Sequence, residues 1–292
     1  MAQVNFEDLL GTGAHFGHVT RKWHPNYKKF ILMEKNGVHI INLEESIRQL
    51  EKAKSFISDV VKKNGEVLFV GTKKQAKDIV QQEADRCGMF YVVERWLGGT
   101  LTNFSTIKKS IKRLQLLEKE GSSIYENLTK KEIQMLDRER IKLSDQHRGI
   151  KDMRRLPDVL VVVDASFEQT AVREAMRLGI PVVAIVDTNT DPTAIDYPIP
   201  ANDDSIRTIQ LIISSITDSI IEVRHGSKDD AADEVAKDTA EGQKDTKKKV
   251  ETTDEKAEEI EKVETAGKEE SADTSEPEIA EEEKAEEVTS EN

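Results

Sequence analysis

Basic and aromatic side chains alternate in one segment near the N-terminus. Residues 18–30 read HVTRKWHPNYKKF, which places four cations among three aromatic rings. Ammonium and guanidinium groups pair with phosphates, and flat rings stack on unpaired bases, so this composition is typical of a loop that binds RNA. The same residues also fit a loop whose rings are packed and whose cations are merely solvated. We favour RNA contact.

A second group of cations follows a helical spacing. Lys108 and Lys112 are four residues apart, as are Lys109 and Arg113. On a helix these two rows form one continuous positive face, which suits a nucleic-acid backbone. An ordinary solvated helix face has the same spacing, so both interpretations stay open.

Two glycine-containing segments resemble phosphate-binding motifs. Gly71-Thr72-Lys73-Lys74 follows an apolar run and would offer backbone amides at a helix start, but the rest of a P-loop is missing. A plain strand-to-helix turn is the first interpretation, RNA phosphate contact the second and nucleotide binding the third. The glycines at 11, 13 and 17 have the wrong spacing for a dinucleotide fold. We therefore expect no enzyme and no catalytic residue.

Four histidines lie close together in the sequence: His15, His18, His24 and His39. No cysteine or carboxylate stands near them at the spacing of metal ligands. We expect them to be structural or to contact RNA, and we predict neither a metal site nor a cofactor. The lone cysteine, Cys87, permits no internal disulfide, which fits a reducing compartment.

The elements that must position these residues alternate between short apolar runs and amphipathic segments, which is typical of an α/β domain with a mostly parallel sheet. The predicted strands are Val38–Ile41, Val67–Val70, Met89–Val93, Val159–Val163 and Val182–Val186. The predicted helices begin after Asn42, near Lys73, at Ser166 and near Asp204. The N-terminal segment before Val38 is expected to be irregular.

Residues 105–150 interrupt this alternation. Apolar residues recur at spacings of three and four in two segments, and Thr129 with Glu132 forms a capping box before the second. This pattern predicts an antiparallel coiled-coil hairpin inserted into the α/β domain.

The C-terminal region differs from the rest in composition. Residues 226–292 contain 25 acidic and 10 basic residues and no aromatic residue, whereas residues 1–225 contain 31 acidic and 33 basic residues. Such a segment buries too little apolar surface to offset the entropy of ordering. We predict an α/β domain over 1–225 and a disordered acidic tail over 226–292. The net charge of −13 is thus a property of the tail.

Several motifs in order resemble one known family. They are GAHFGHVTRKWHP at 13–25, NGVHIINL at 36–43, GTKKQA at 71–76, RWLGGTLTN at 95–103, GIPVVAIVDTN at 179–189 and DYPIPANDD at 196–204. Together they resemble the bacterial small-subunit ribosomal protein S-two family over about 1–225. The resemblance implies a Rossmann-like sheet with a protruding helical hairpin. It also implies a structural role in the small ribosomal subunit, with ribosomal RNA, neighbouring ribosomal proteins and protein S-one as partners.

The resemblance also assigns RNA contacts to residues within these motifs. With the helical cations above, the candidate RNA-binding residues are Arg21, Lys22, Trp23, Asn26, Lys28, Lys29, Lys73, Lys74, Arg95, Asn103, Lys108, Lys109, Lys112 and Arg113. Trp96 and the pair Gly98-Gly99 are expected to be structural, the glycines permitting the turn into the hairpin.

Two other classes of function remain open. One is a nucleotide-dependent enzyme on the same fold, which would carry bound nucleotide. The other is a coiled-coil adaptor that binds only proteins, which would yield no RNA on crosslinking. Since no apolar stretch approaches 18 residues, we expect a cytoplasmic, ribosome-associated protein without a membrane segment.

Overall fold

The computed structural model describes residues 4–119 and 128–225. Its centre is a five-stranded parallel sheet with the order β5-β4-β6-β7-β8. The strands are β4 (Val67–Val70), β5 (Phe90–Val92), β6 (Val159–Val163), β7 (Val182–Val186) and β8 (Tyr197–Pro200). Every residue of β4, β6 and β7 is buried, as expected for strands covered on both faces.

Alternate residues of each strand enter two separate hydrophobic cores. Phe69 and Val161 belong to one core, and Leu68 and Leu160 belong to the other, because successive side chains of a strand point to opposite faces. The α-helices of the described residues are α1 (Phe6–Thr12), α2 (Leu43–Lys62), α3 (Lys77–Cys87), α4 (Phe104–Glu118), α5 (Lys130–His147), α6 (Gln169–Leu178) and α7 (206–225). The predicted Rossmann-like α/β class is confirmed.

The N-terminal segment is not irregular, and that expectation was wrong. It contains α1 and a small antiparallel sheet with the order β1-β3-β2. These strands are β1 (Phe16–Val19), β2 (Ile31–Lys35) and β3 (Val38–Ile41). The turn between β2 and β3 contains Asn36 and Gly37, both at positive φ, which is the residue pair that tight hairpins favour.

Two predicted helix starts were also wrong. Helix α3 begins at Lys77 rather than near Lys73, since residues 73–76 form a turn before it. Helix α6 begins at Gln169 rather than at Ser166. Asp164 organises that connection, because it adopts φ 63° and its Oδ1 accepts the N–H of Phe167 at 3.0 Å.

Helices α4 and α5 pack side by side. Ser110 Oγ lies 2.8 Å from His147 Nε2, and Arg113 pairs with Glu139 at 3.1 Å, so the two helices run in opposite directions. The capping box of Thr129 and Glu132 is present. The supercoil predicted for this hairpin stays a prediction. Its connecting residues 120–127 lie outside the described residues, as does the predicted acidic tail over 226–292.

A buried carboxylate holds the loop that leads into this hairpin. Glu174 of α6 is buried and accepts the indole N–H of Trp96 at 3.2 Å and the amide N–H groups of Gly99, Leu101 and Thr102 at 2.7 to 3.0 Å. Gly99 adopts φ 92°, so the expected structural role of the glycine pair holds at this position.

Burial acts to raise the pKa of Glu174, but the hydrogen bonds from the Thr102 and Gly99 amides outweigh burial and lower the pKa. The carboxylate is therefore ionised at neutral pH. It supplies the hydrogen-bond acceptors that these backbone amides would otherwise lack inside the protein.

We predict that Glu174→Gln destabilises the protein by about 3 kcal/mol at pH 7. The side-chain NH2 of glutamine would replace one acceptor oxygen of Glu174 and would face backbone N–H groups, which are donors themselves. Urea unfolding measures this loss. The depressed pKa means that the contribution of Glu174 is present above its unfolded pKa and disappears as pH falls through the folded value, so the difference between variant and wild type shrinks in acid. Arg177→Ala, exposed on the same helix, is the control, with less than about 0.5 kcal/mol expected. An effect of Glu174→Gln no larger than the control would contradict this role.

Candidate nucleic-acid interface

The basic segment 18–30 forms a loop with two faces. It contains two short 3-10 helices, Thr20–Lys22 and Pro25–Phe30. Tyr27 and Phe30 are buried and touch edge to face at 5.3 Å, so these two rings pack in the core as the alternative interpretation proposed. Trp23 is half-buried beside His39. The cations Arg21, Lys22, Lys28 and Lys29 are exposed.

The buried face anchors the loop at the carboxyl end of β7. The Tyr27 hydroxyl donates to the carbonyl of Val186 at 3.0 Å, and the backbone N–H of His24 donates to the carbonyl of Thr188 at 2.7 Å. The amide of Asn26 donates to Asp191 at 3.1 Å. These bonds present the four cations from a fixed backbone rather than from a free loop, which lowers the entropy cost of binding.

Asn26 was predicted to contact RNA, and its side chain already has this internal partner. The hydrogen bond to Asp191 is exposed, so water and phosphate can both compete for it. The side chain of Asn26 therefore helps to hold the loop in position.

Aspartates from three strand ends converge beneath the loop. Asp164 follows β6, Asp187 follows β7, and Asp203 and Asp204 follow β8. The ammonium of Lys73, which follows β4, lies 3.2 Å from Asp164, 2.8 Å from Asp203 and 2.7 Å from Asp204. Parallel strands bring these residues together because their carboxyl ends share one edge of the sheet.

The charges at this edge shift one another's pKa values. Burial, followed by the charges of Asp164 and Asp187, raises the pKa of Asp203 to about 7. The hydrogen bond with Asp187 raises the pKa of His18, whose Nδ1 lies 2.9 Å from that carboxylate. Burial acts to lower the pKa of Lys73, but its bonds to Asp203 and Asp204 outweigh burial and raise it. Lys73 is therefore protonated at neutral pH, and its charge offsets part of the negative charge of Asp164, Asp203 and Asp204.

This arrangement changes the interpretation of the Gly71–Lys74 segment. Thr72 donates both its N–H and its hydroxyl to Glu168, and Lys73 is held by carboxylates, so neither residue faces a phosphate. The side chain of Lys73 is only 15% exposed. These contacts argue against RNA contact through Lys73. A nucleotide phosphate at this position would be repelled by the carboxylates. Lys74 is exposed and stays a candidate.

The remaining candidates lie around the base of the hairpin. Arg95 is exposed just after β5, and the Asn103 side-chain oxygen accepts the hydroxyl of Thr106 at 2.9 Å at the start of α4. Of the four helical cations, Lys109 and Lys112 are exposed. Lys108 donates to the carbonyl of Arg154, and Arg113 is paired with Glu139. Two of the four cations of the predicted positive face are therefore bonded within the protein.

Two further cations lie on α5 and are not among the predicted RNA-binding residues. Arg138 and Lys142 line a shallow depression of about 390 Å³ together with Arg95 and the acidic residues Glu94 and Asp145. Their spacing of four residues is the same signal that identified the cations of α4. Three cations and two carboxylates surround this depression, which suits a phosphate.

We predict that Lys73→Met destabilises the protein by about 3 kcal/mol at pH 8, since removing one partner leaves buried charge uncompensated. The loss should be smaller at pH 6. Asp203, with its raised pKa, takes up a proton as pH falls through that value and then no longer carries the uncompensated charge. Urea unfolding at the two pH values measures the difference, with Lys74→Met, its exposed neighbour, as the control. Equal losses at both pH values would contradict the assigned role.

Among the residues that the structure describes, no helix combines the length and apolar character needed to cross a membrane.

The family model described as "Ribosomal protein S2" matches residues 9–223. The "Small ribosomal subunit protein uS2" of Chloroherpeton thalassium is 54% identical over 231 residues, covering 79% of this chain and 92% of that protein. Proteins of the same name from Koribacter versatilis and Acidobacterium capsulatum are 51% and 50% identical over 223 residues, covering 76% of this chain and 74% of each relative.

Proposed function

This chain belongs to the ribosomal protein S2 family, and we propose that, as a structural constituent of the small ribosomal subunit, it binds the subunit's RNA through its basic loop and hairpin base. The observation that carries the RNA proposal is the loop of residues 18–30. Its Tyr27 ring is anchored to β7 by a hydrogen bond, while its cations are exposed. Binding then consists of charge neutralisation and recognition of RNA shape by a fixed surface, with no chemical step.

The sheet topology supports a single RNA-binding edge. Arg95 follows β5, Lys74 follows β4, and the loop is anchored at the end of β7. These positions all belong to the carboxyl edge of the sheet, because the strands are parallel. The loop that follows β5 also leads into the hairpin with Lys109 and Lys112. One RNA surface can therefore meet the candidate cations together.

Charge supports RNA as the partner of this edge. The cations of the loop are exposed, whereas the aspartates below are largely buried or paired with Lys73 and His18. The cations are therefore presented outward, and the negative charges are masked by internal partners. Counterion release by distributed cations makes such binding strong at low salt and sensitive to salt.

A different surface suits neighbouring proteins, among which we include protein S-one. Phe6 and Leu10 of α1 and Leu32 of β2 are 46%, 46% and 61% exposed and line a groove of about 230 Å³. Exposed apolar side chains grouped in this way are typical of protein interfaces rather than of RNA contacts. The protein would then bind RNA through the carboxyl edge and proteins through this N-terminal surface, associated with ribosomes in the cytoplasm.

We predict that the double variant Lys28→Ala, Lys29→Ala leaves small ribosomal subunits at lower salt than the wild type does. Each lost phosphate contact lowers the log-log salt slope of RNA affinity by roughly 0.7 to 0.9, so two contacts lower it by about 1.4 to 1.8. Sedimentation through sucrose gradients at increasing salt and RNA titration measure these effects. Both lysines are exposed, so the unfolding free energy should change by less than about 0.5 kcal/mol.

The matched control is Lys62→Ala, Lys63→Ala at the end of α2, which removes the same charge. These lysines precede β4 and so belong to the opposite, amino edge of the sheet. The control should keep the wild-type salt slope. Equal slopes for the two double variants would show that the effect is one of net charge and that the loop does not touch RNA.

A further inference from the structure

A pocket of about 340 Å³ opens beside the basic loop at the carboxyl edge of the sheet. Its walls come from the connections that follow β6 and β7, from α6 and from His24 of the basic loop. We propose that this pocket binds one unpaired base of the subunit's RNA, either uracil or guanine. The proposal rests on the RNA binding proposed above and adds to the basic loop a site at which the RNA sequence is read.

The size and the apolar wall of the pocket fit a flat ring. Ligand pockets in proteins have volumes of about 300 Å³ and above, so this pocket has the size for a small ligand. Ala165, Val172 and Ile195 are almost fully buried and form an apolar wall against which the face of a base can pack. Proteins recognise unpaired RNA bases by such packing together with hydrogen bonds to the base edges.

Two planar side chains of the lining, His24 and Arg173, can stack on the ring of a base. The Nδ1 of His24 accepts the backbone N–H of Asn26 at 3.3 Å, and Nη2 of Arg173 donates to Oε1 of Gln169 at 3.0 Å. These bonds restrain both planar groups in the free protein. Their restraint lowers the entropy cost of binding a base.

The side-chain amides of the lining select the type of base. Oδ1 of Asn189 accepts the hydroxyl of Thr190 at 2.9 Å, so the NH2 group of Asn189 remains as a donor. Oε1 of Gln169 is used in the same way by Arg173, so its NH2 group also remains. Uracil and guanine present a carbonyl acceptor at the position where cytosine and adenine present an amino donor. Two amide donors therefore favour uracil or guanine.

The charge of the lining favours a base over a phosphate. The guanidinium of Arg173 is balanced by the carboxylate of Asp191. Oδ1 of Asp191 accepts the N–H and the hydroxyl of Thr193 at 3.0 and 2.7 Å and the amide of Asn26 at 3.1 Å. A phosphate in the pocket would be repelled by this carboxylate, whereas the exposed cations of the adjoining loop suit the phosphates that flank a bound base.

Ala194→Trp tests the pocket without a change of charge. Ala194 is half-buried in the short 3-10 helix Pro192–Ala194 and lines the pocket, so an indole there occupies the space of the base. Small ribosomal subunits stripped of this protein are rebuilt with the full-length wild type or variant. The concentration for half-maximal rebinding should rise about tenfold. The factor should be the same at low and high salt, because no cation is lost.

Acylation of the RNA 2′-hydroxyl groups in the rebuilt subunits identifies the base. A nucleotide held in the pocket reacts slowly, and its release by Ala194→Trp should raise the reactivity of one uridine or guanosine. Leu178→Trp is the matched control. Leu178 is 41% exposed on α6 and is not part of the pocket lining, so rebinding and acylation should match the wild type.

Gln169→Leu is the second pocket variant, and circular dichroism checks the folding of all variants. Gln169 is exposed, so its replacement should leave the fold intact even if Ala194→Trp unfolds the protein. The lost NH2 donor should weaken rebinding about fivefold and raise the reactivity of the same nucleotide.

Unchanged acylation of every uridine and guanosine in the folded pocket variants would overturn the proposal, as would a gain confined to adenosines or cytidines. Weaker rebinding with unchanged acylation would also overturn it, because the occupant would then be a neighbouring protein. The variant Lys28→Ala, Lys29→Ala separates this proposal from the RNA binding on which it rests. If that variant lowers the salt slope while the pocket variants change nothing, the loop binds RNA and the pocket does not. If the slope is also unchanged, RNA contact by the loop fails.

Discussion

The fold depends on how negative charge is balanced where the parallel strands end. Asp164, Asp187 and Asp203 follow three strands of one sheet, and such an edge usually binds a nucleotide. Here Lys73 bridges Asp164 and Asp203 at 3.2 and 2.8 Å, and His18 binds Asp187 at 2.9 Å. The edge is therefore closed by the protein's own side chains, Lys73 and His18. The result is a buried polar cluster in which the loss of one member leaves the charge of its partners uncompensated.

The contacts at this edge also hold the basic loop in place on the surface of the protein. His18 begins the basic loop, and the hydrogen bonds of His24 and Tyr27 to the end of β7 hold the rest of it. Glu174 fixes the loop after β5 in the same way, by accepting backbone N–H groups that lead into the hairpin. Exposed cations are thus carried on backbone segments that buried polar groups position. A scaffold for folded RNA needs such a preformed surface because it must match the RNA's shape.

Much of this architecture could be predicted from the sequence, and the exceptions have physical causes. Fully buried strands such as β6 are continuous apolar runs, which local sequence reveals. Strand β8 reads Tyr-Pro-Ile-Pro, and its prolines are tolerated only because it is an edge strand. The environment of Lys73 was out of reach, since its partners Asp164 and Asp203 are 91 and 130 residues away. Spacing along the chain identified the cations but not which of them the fold uses internally.

We propose that exposed cations at the carboxyl edge of the sheet contact RNA and that the buried Lys73 does not. Ultraviolet crosslinking of intact small ribosomal subunits, followed by mass spectrometry of the RNA-linked peptides, identifies the contacting residues. We expect crosslinks within residues 18–30 and at the hairpin base near Arg95 and Lys109, with none at Lys73. Crosslinks confined to the amino edge around Lys62, or their absence from the basic loop, would contradict it.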